Sequence, residues 1–345
     1  MNNRRGVRFD LVRSHPDVAI ICLAIIMVFV AVVSLTLGRY SIAPSDVCKI
    51  LISRIVPTAQ TWTSQQANIF FGVRLPRVIL TLMVGCSLAA AGASFQGIFQ
   101  NPLVSPDFLG ASQGAAFGAC LAILLSASSL VTSVSAFAFA MISVVVVLAI
   151  SATARGNRIL ITVLAGIMVS SLFSAGVSYI KLVADPSAQL QQITFWLMGS
   201  MTSAKMQDIA LVAAPVLVGT IGLFAIRWRL NALTMGDDEA LTMGVDAPRL
   251  RVVTIILATM MTAACVSVTG IIGWIGLVIP HFARGLVGAD YRKLMPASML
   301  MGATFLLIVD NIARLVGTSE IPIGILTAFV GAPFFMWLIT RKRAA

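Results

Sequence analysis

Asp310 is the residue whose setting most invites chemistry. It is a carboxylate inside an apolar run, FLLIVDNIARL, where an acid is by default a functional group such as a proton site. Arg314 follows four residues later on the same helical face, so a neutralised Asp310–Arg314 ion pair is the competing reading. Arg74 and Arg77, in RLPR, stand at the mouth of another apolar run. An arginine presents a rigid, permanently charged fork that fits a carboxylate. These two, with Arg314, are therefore candidate sockets for acidic residues of a partner, or else snorkelling structural charges. His281, in IPHFAR, fits a proton relay or an interfacial cap beside Arg284. The stretch GASQG at 110–114 has the spacing of a hydrolase nucleophile. That motif needs a strand–turn–helix setting, however, and here it opens an apolar helix in a chain with 2 histidines. It is set aside. No G-x-x-x-x-G-K-S/T loop occurs, so any ATP must be held by another chain. The five cysteines are scattered without a CxxC, and four lie in apolar runs. They read as small core residues, and no metal or cofactor is indicated.

The second chemistry-bearing stretch is a polar island, Asn231–Arg251, NALTMGDDEALTMGVDAPRLR. It holds four of the chain's 13 carboxylates (Asp237, Asp238, Glu239, Asp246) and is closed by Arg249 and Arg251. Its Ala, Leu, Met and Glu favour helix, Gly236 and Gly244 interrupt it, and Pro248 is expected to stop it before the next apolar run. One or two short amphipathic helices projecting into water follow. Such a segment is either a solvated loop or a docking handle for a soluble partner that supplies energy.

The elements that must position these groups are membrane helices. The chain has 345 residues, 59% apolar and 11% charged, with mean hydropathy +0.97. Soluble domains carry about 25% charge, so the class is an all-α polytopic membrane protein. Apolar runs fall near 18–37, 78–99, 108–125, 130–152, 159–183, 207–227, 252–270, 271–288, 294–315 and 321–340, which makes about ten spans. Residues 1–17 then form a cytoplasmic segment, 18–340 the membrane domain and 341–345 a cytoplasmic tail. The first run is too long for a signal-peptide core and is read as retained. With the amino terminus inside, sixteen of the 24 Lys and Arg fall on the cytoplasmic side, which supports both termini, and the island, in the cytoplasm. The net charge of +11 thus reflects topology and contact with lipid, not nucleic acid.

Small residues crowd the runs. Gly85, Ala89 and Gly92 share one face, and Gly110, Gly114 and Gly118 recur every four residues, which predicts close backbone packing. Gly166, Gly176, Pro322 and Pro333 allow bends or simply pack. In the outer segment 38–77, Ile42, Val47, Ile50, Leu51 and Ile55 suit an interfacial helix, and 184–206 is long enough for a short helix dipping back toward the bundle. Two five-span halves related by inversion are a further possibility.

Four blocks, in order, resemble the FecCD family of ABC importer permeases for ferric siderophores, haem and cobalamin. They are RLPRVILTLMVGCSLAAAGASFQGIFQNPLVSPDFLGASQGAAFGA (74–119), ITFWLMGSM (193–201), TGIIGWIGLVIPHFARGLVGADYRKLMPASMLMGA (269–303) and DNIARLVGTSEIPIGILTAFVGAPFFMWLI (310–339). The resemblance implies ten helices per subunit and a second permease, identical or paralogous. It also implies two cytoplasmic ATPase subunits and an outer substrate-binding protein. It carries the family's docking arginines onto Arg74, Arg77 and Arg314. It places the ATPase-coupling helices at about 233–247, with Leu233, Met235, Gly236, Asp238, Glu239, Ala240 and Gly244. The cytoplasmic gate falls at about 153–159, with Ala154, Arg155, Gly156 and Asn157. Ferric siderophore is the expected cargo, with cobalamin or haem as alternatives. From another class, a proton-coupled secondary transporter using Asp310 and His281 is the rival.

Overall fold

The computed structural model describes residues 15–53 and 60–341. The basic segment before residue 15, Arg54, Ile55 and residues 342–345 lie outside the described residues. Within them the chain is all helical. In order the helices are α1 (Pro16–Thr36), α2 (Pro44–Ile52), α3 (Ser64–Ile98), α4 (Ala111–Leu124), α5 (Ser129–Thr153), α6 (Arg158–Val183) and α7 (Gln189–Met198). There follow α8 (Met206–Leu233), α9 (Asp237–Thr242), α10 (Ala247–Thr269), α11 (Ile275–Val287), α12 (Tyr291–Leu315) and α13 (Ile323–Arg341). Seven of them are long and apolar enough to cross a membrane (α1, α3, α5, α6, α8, α10 and α12), and α4, α11 and α13 are shorter apolar helices.

Helix ends follow local chemistry. The Asn157 side chain accepts from the N–H groups of Ile159 and Leu160 at 3.0 and 3.2 Å and so starts α6. Asp246 accepts from Arg249 N–H at 3.0 Å and starts α10, and Asp290 accepts from Arg292 N–H at 2.9 Å and starts α12. Pro248 therefore opens α10 and does not stop the island: in a first helical turn its missing N–H has no bond to lose. Inside α3 the missing N–H of Pro76 is met by widening the preceding turn, Phe70–Arg74, to π geometry.

α3 is the buried centre, whereas α1, α5, α6 and α8 leave most of their length exposed. Glycines set how closely its neighbours approach. A Cβ on Gly85 would lie 2.3 Å from Gly302 O of α12, and one on Gly92 would lie 1.9 Å from Gly276 O of α11. The same device joins α4 to α5, where Gly114 and Gly118 sit under Phe139 O and Ser135 O at 2.5 Å each. Lipid supplies no hydrophobic drive between helices, so this contact is what holds them. Gly166 and Gly176 are packing seats as well, under Phe108 O and the Phe117 ring.

Two breaks meet inside the bundle. Residues 99–110 unwind between α3 and α4, with a tight turn at Pro106–Leu109 and Gly110 at φ 77°. Residues 270–274 unwind between α10 and α11, with Gly270 and Trp274 both at φ 71°. Pro106 Cδ lies 3.2 Å from the Cβ position of Gly276, so the starts of α4 and α11 adjoin. Irregular backbone is tolerable at this depth because protein surrounds it. The segment expected to dip back is α7. Its end is stitched to the second break by Ser200 N–H donating to Thr269 O (2.7 Å), and to α13 by Ile323 N–H donating to Gly199 O (2.9 Å). α2 buries Val47 and Ile50 and leaves Leu51 exposed.

Candidate functional site

The charged side chains gather at two ends of the bundle. At the first, Arg77 is 4% exposed on α3. Its Nε and Nη2 donate to Asp310 of α12 at 2.9–3.2 Å, and its Nη1 donates to Glu320 Oε1 at 3.1 Å. Glu320 Oε2 is 2.9 Å from Arg77 Nη2 and also accepts from Thr202 Oγ1 at 2.8 Å. Arg314 Nε lies 3.3 Å from Asp310 Oδ2, and its Nη2 donates to Ser34 Oγ at 3.0 Å and to Asn311. Arg74 Nη1 donates to the carbonyls of Leu35 and Thr36, both at 2.9 Å, and its Nη2 to that of Tyr40. It thereby fills the open carbonyls at the end of α1.

None of the three arginines presents a free fork in this chain alone. They are 3%, 4% and 7% exposed, because a buried charge must be paired and the nearest acceptors are internal. Arg77 and Arg314 face Asp310 and Glu320, two charges of each sign, and Arg74, held on backbone carbonyls, adds a further positive charge beside Arg314. Asp310 is fully buried between Arg77 and Arg314. Burial pushes the Glu320 carboxyl up, but Arg77, Thr202 and Arg314 together outweigh it and hold the group below its ordinary value. Glu320 was not singled out from sequence, although an acid in the short link between α12 and α13 was a usable signal. It also borders a 480 Å³ cleft with Trp196, Ser200, Thr269 and Pro322.

At the other end lies the island. Its first three residues end α8 and its last five open α10, and between those helices only Asp237–Thr242 is helical, flanked by Gly236 and Gly244 at φ 128° and 76°. Arg251, 9% exposed, donates from Nε to Ile98 O at 3.0 Å and from Nη1 to Asp237 at 2.6 Å, clamping α9 to the ends of α3 and α10. That hydrogen bond and charge hold the Asp237 carboxyl below its ordinary 3.8. Asn231 donates to Asp290 at 2.7 Å and accepts from Tyr291 N–H at 2.8 Å, tying α8 to α12. Arg292, with Asn231, draws Asp290 down to about 2. Leu233 and Ala240 are buried, whereas Met235, Asp238, Glu239 and Gly244 are exposed, as are Leu241 and Met243. The loop Ala154, Arg155, Gly156, Asn157 is exposed at this same end. A 150 Å³ crevice lined by Ser151, Arg158, Pro248 and Arg251 separates the α5–α6 turn from α10.

Two further placements matter. His281 sits within α11, its ring 6.0 Å from that of Phe334. Ser112, the serine of the GASQG match, donates its hydroxyl to Asp107. Between the two ends α6 exposes Ser171, Ser174 and Ser178 on one side, where Ser171 and Ser178 donate to Ile167 O and Ser174 O of their own helix at 2.9 and 3.0 Å.

Multiple apolar crossings make this a multi-pass membrane protein, and its relatives make it a permease of the ABC importer class, resident in the cytoplasmic membrane, with ATP hydrolysis on separate subunits. The chain belongs to the FecCD transport family, matched over residues 25–341. It is 40% identical over 332 residues to the molybdate import system permease protein MolB of Haemophilus influenzae, covering 96% of this chain and 97% of that one. It is 38% identical over 329 residues to a probable iron chelatin transport system permease protein of Helicobacter pylori, covering 95% and 98%. A solved structure described as an inward-facing conformation of a metal-chelate type ABC transporter superposes with a TM-score of 0.83 at 38% identity, covering 93% of this chain and 98% of that one.

Proposed function

We propose that this chain is one of two permease subunits forming the conduit of a ferric-chelate importer, driven by two cytoplasmic ATPases and fed by an outer binding protein. One observation carries the coupling half of that reading. Met235, Leu241 and Met243 are 61%, 69% and 52% exposed on a segment that Arg251 fixes to the core. An apolar trio rimmed by Asp238 and Glu239 has the composition of a protein interface, with an apolar centre and a polar border. A rigid clamp behind it lets a push on the island reach α3 and α10.

In this reading the island end is cytoplasmic, the seven long and three shorter apolar helices make ten crossings, and both termini lie inside. The loop Ala154–Asn157 at that end is the cytoplasmic gate. The arginine end faces outward, and Arg74, Arg77 and Arg314 shape the docking platform by fixing the loops around Tyr40 and Glu320. An acidic residue of the binding protein reaches Arg77 by competing with Glu320, whose side chain is 29% exposed. The exposed α6 serines line the route. A 650 Å³ apolar groove along α13, where Phe329 and Met336 are 74% and 61% exposed, seats the second permease, identical or paralogous. Asp310 is bonded to both Arg77 and Arg314, a structural role that a proton-coupled transporter would not require.

The deciding experiment reconstitutes the chain with its ATPase and binding protein in vesicles and offers ferric siderophore, haem, cobalamin and molybdate in turn. ATP-dependent uptake of the siderophore is expected. Uptake of molybdate instead would transfer the cargo reading to the oxyanion named for the Haemophilus relative. Leu241→Glu with Met243→Glu should abolish co-purification with the ATPase while the permease stays monodisperse, and retained co-purification would remove the coupling role. Solute accumulation by the chain alone, collapsed by a protonophore, would overturn the whole reading.

A further inference from the structure

A groove of 390 Å³ runs between α1 and α12 near the arginine end, walled by Phe29, Val30 and Val33 on one side and by Ile308, Ile312 and Leu315 on the other. The two helices run in the same direction, since Asp17 pairs with Lys293 at the island end and Ser34 with Asn311 at the other. From Ile308 to Val316 the groove covers roughly 12 Å at about 1.5 Å of rise per residue. Half of a hydrocarbon layer about 30 Å thick is close to that length, so the groove has the depth of one leaflet.

Two polar groups interrupt this apolar wall. Asn311 lines the groove between Ile308 and Leu315. Its Oδ1 accepts from Ser34 Oγ at 2.9 Å and from Arg314 Nη2. An arginine can only donate, so the amide is oriented with its oxygen toward Arg314 and its Nδ2 turned away. Among the described residues nothing accepts from that Nδ2. A bare amide N–H against hydrocarbon is costly. The second group is Arg39, at the rim beyond Val316. Its Nη2 donates to Gly317 O at 3.0 Å, and among the described residues its other N–H groups have no acceptor and no carboxylate pairs with it. Arg39 is exposed, as is Tyr40 beside it, an aromatic of the kind that sits at headgroup level. Arg74, held on the carbonyls of Leu35, Thr36 and Tyr40, is a second guanidinium near this rim without a carboxylate.

We propose that an anionic glycerophospholipid occupies this groove, with its phosphate on Arg39, an ester carbonyl accepting from Asn311 Nδ2, and an acyl chain along Val30, Phe29 and Ile308. A guanidinium offers a phosphate a two-point contact. A cation at the rim, a lone amide donor deeper and hydrocarbon below repeat the order of phosphate, ester and chain along such a lipid. A helix of another protein would cover the apolar wall, but its carbonyls are bonded within itself and give the Nδ2 no acceptor. The site requires only that the chain spans a bilayer, and it holds whichever solute is carried.

The test reconstitutes the permease with its ATPase subunits in vesicles of equimolar phosphatidylglycerol and phosphatidylcholine with identical chains. The photoreactive residue p-benzoylphenylalanine replaces Phe29, a ring that is already exposed at the deep end of the groove. Irradiation couples it to whatever lies beside it, and mass spectrometry of the adduct reads the headgroup. Phosphatidylglycerol adducts should exceed phosphatidylcholine adducts several-fold, against near equality with the probe in place of Val145, an exposed position of α5. Arg39→Gln can still donate to Gly317 O but carries no charge, and it should bring the ratio down to that at Val145. Arg39→Lys should keep most of the excess. Ile312→Trp, which fills the groove without touching Arg39, should lower the ratio as well. Equal adducts in the parent, or an excess that survives Arg39→Gln, overturn the proposal. Coupling at position 29 to a protein chain overturns it too, because a helix then covers the groove.

Discussion

At the arginine end, two guanidiniums and two carboxylates close on one another beside the Tyr40 and Glu320 loops, and of the four only Glu320 keeps appreciable exposure. At the island end, a single buried guanidinium, Arg251, grips a single carboxylate and the backbone of α3, while an apolar trio and two further acids stand out in solvent. The first arrangement closes on itself, and the second holds α9 through one carboxylate while leaving its apolar trio open. Between them α3 runs from one end to the other, in backbone contact with α11 and α12, and in the coupling reading proposed above a displacement of either end would pass through that close packing and not through side chains that can re-rotamerise.

Breaking the arginine end should cost most. Asp310→Ala leaves Arg77 and Arg314 buried without their shared partner, and removal of one member of a buried pair costs about 3–5 kcal/mol. Thermal unfolding of the detergent-solubilised chain should show that loss, whereas Asp310→Leu combined with Arg77→Met and Arg314→Met, which removes the buried charges together, should recover much of it. A loss for Asp310→Ala no larger than that of a surface substitution would mean the cluster is solvated, and the contrast between the ends would dissolve. Next comes the rod that joins them. Gly92→Ala sets a methyl 1.9 Å from Gly276 O, a backbone atom with nowhere to go. Overpacking of about 1–3 kcal/mol is expected by the same assay, together with weaker coupling between binding-protein docking and ATP hydrolysis.

Hydropathy located the helices well. Runs expected at 130–152 and 159–183 are α5, Ser129–Thr153, and α6, Arg158–Val183. The larger errors share one cause. α3 begins at Ser64, not 78, and α8 runs on to Leu233, past Arg227 and Arg229. In each case a charge was read as the end of a helix, when charge marks only the edge of hydrocarbon or a buried pairing. The partner of Arg77 was equally hidden. Arg314 stands four residues from Asp310 and is visible to local spacing, whereas Arg77 is 233 positions away and only the fold brings it there. The island was legible as a segment but its clamp was not, because Asp237 looked no different from Asp238 until Arg251 proved to be buried beneath it.

The smallest expected effects sit on that clamp and test whether it is a lever mount or an ordinary surface pair. Arg251→Gln removes the charge but can still donate to Ile98 O. It should cost about 0.5–1.5 kcal/mol, the range of an ordinary hydrogen bond, because the Asp237 side chain is 52% exposed and its charge is screened, and should lower ATPase stimulation more than it lowers stability. Asp237→Asn should cost less, under about 1 kcal/mol, because the Asp237 side chain is 52% exposed and its attraction is screened. The sign with pH follows from the depressed carboxyl. Its contribution is complete above the ordinary value of 3.8 and is lost as pH falls below that toward the folded value, so the clamp should be indifferent to pH between about 8 and 5. Amide hydrogen exchange across 236–246 reads this directly. The wild-type island should loosen only in acid below 3.8, and Asp237→Asn should show that looser exchange already at neutral pH. Loosening of the wild type between pH 7 and 5 would assign the hold to some other titrating group and leave Arg251 as a backbone cap for α3 alone.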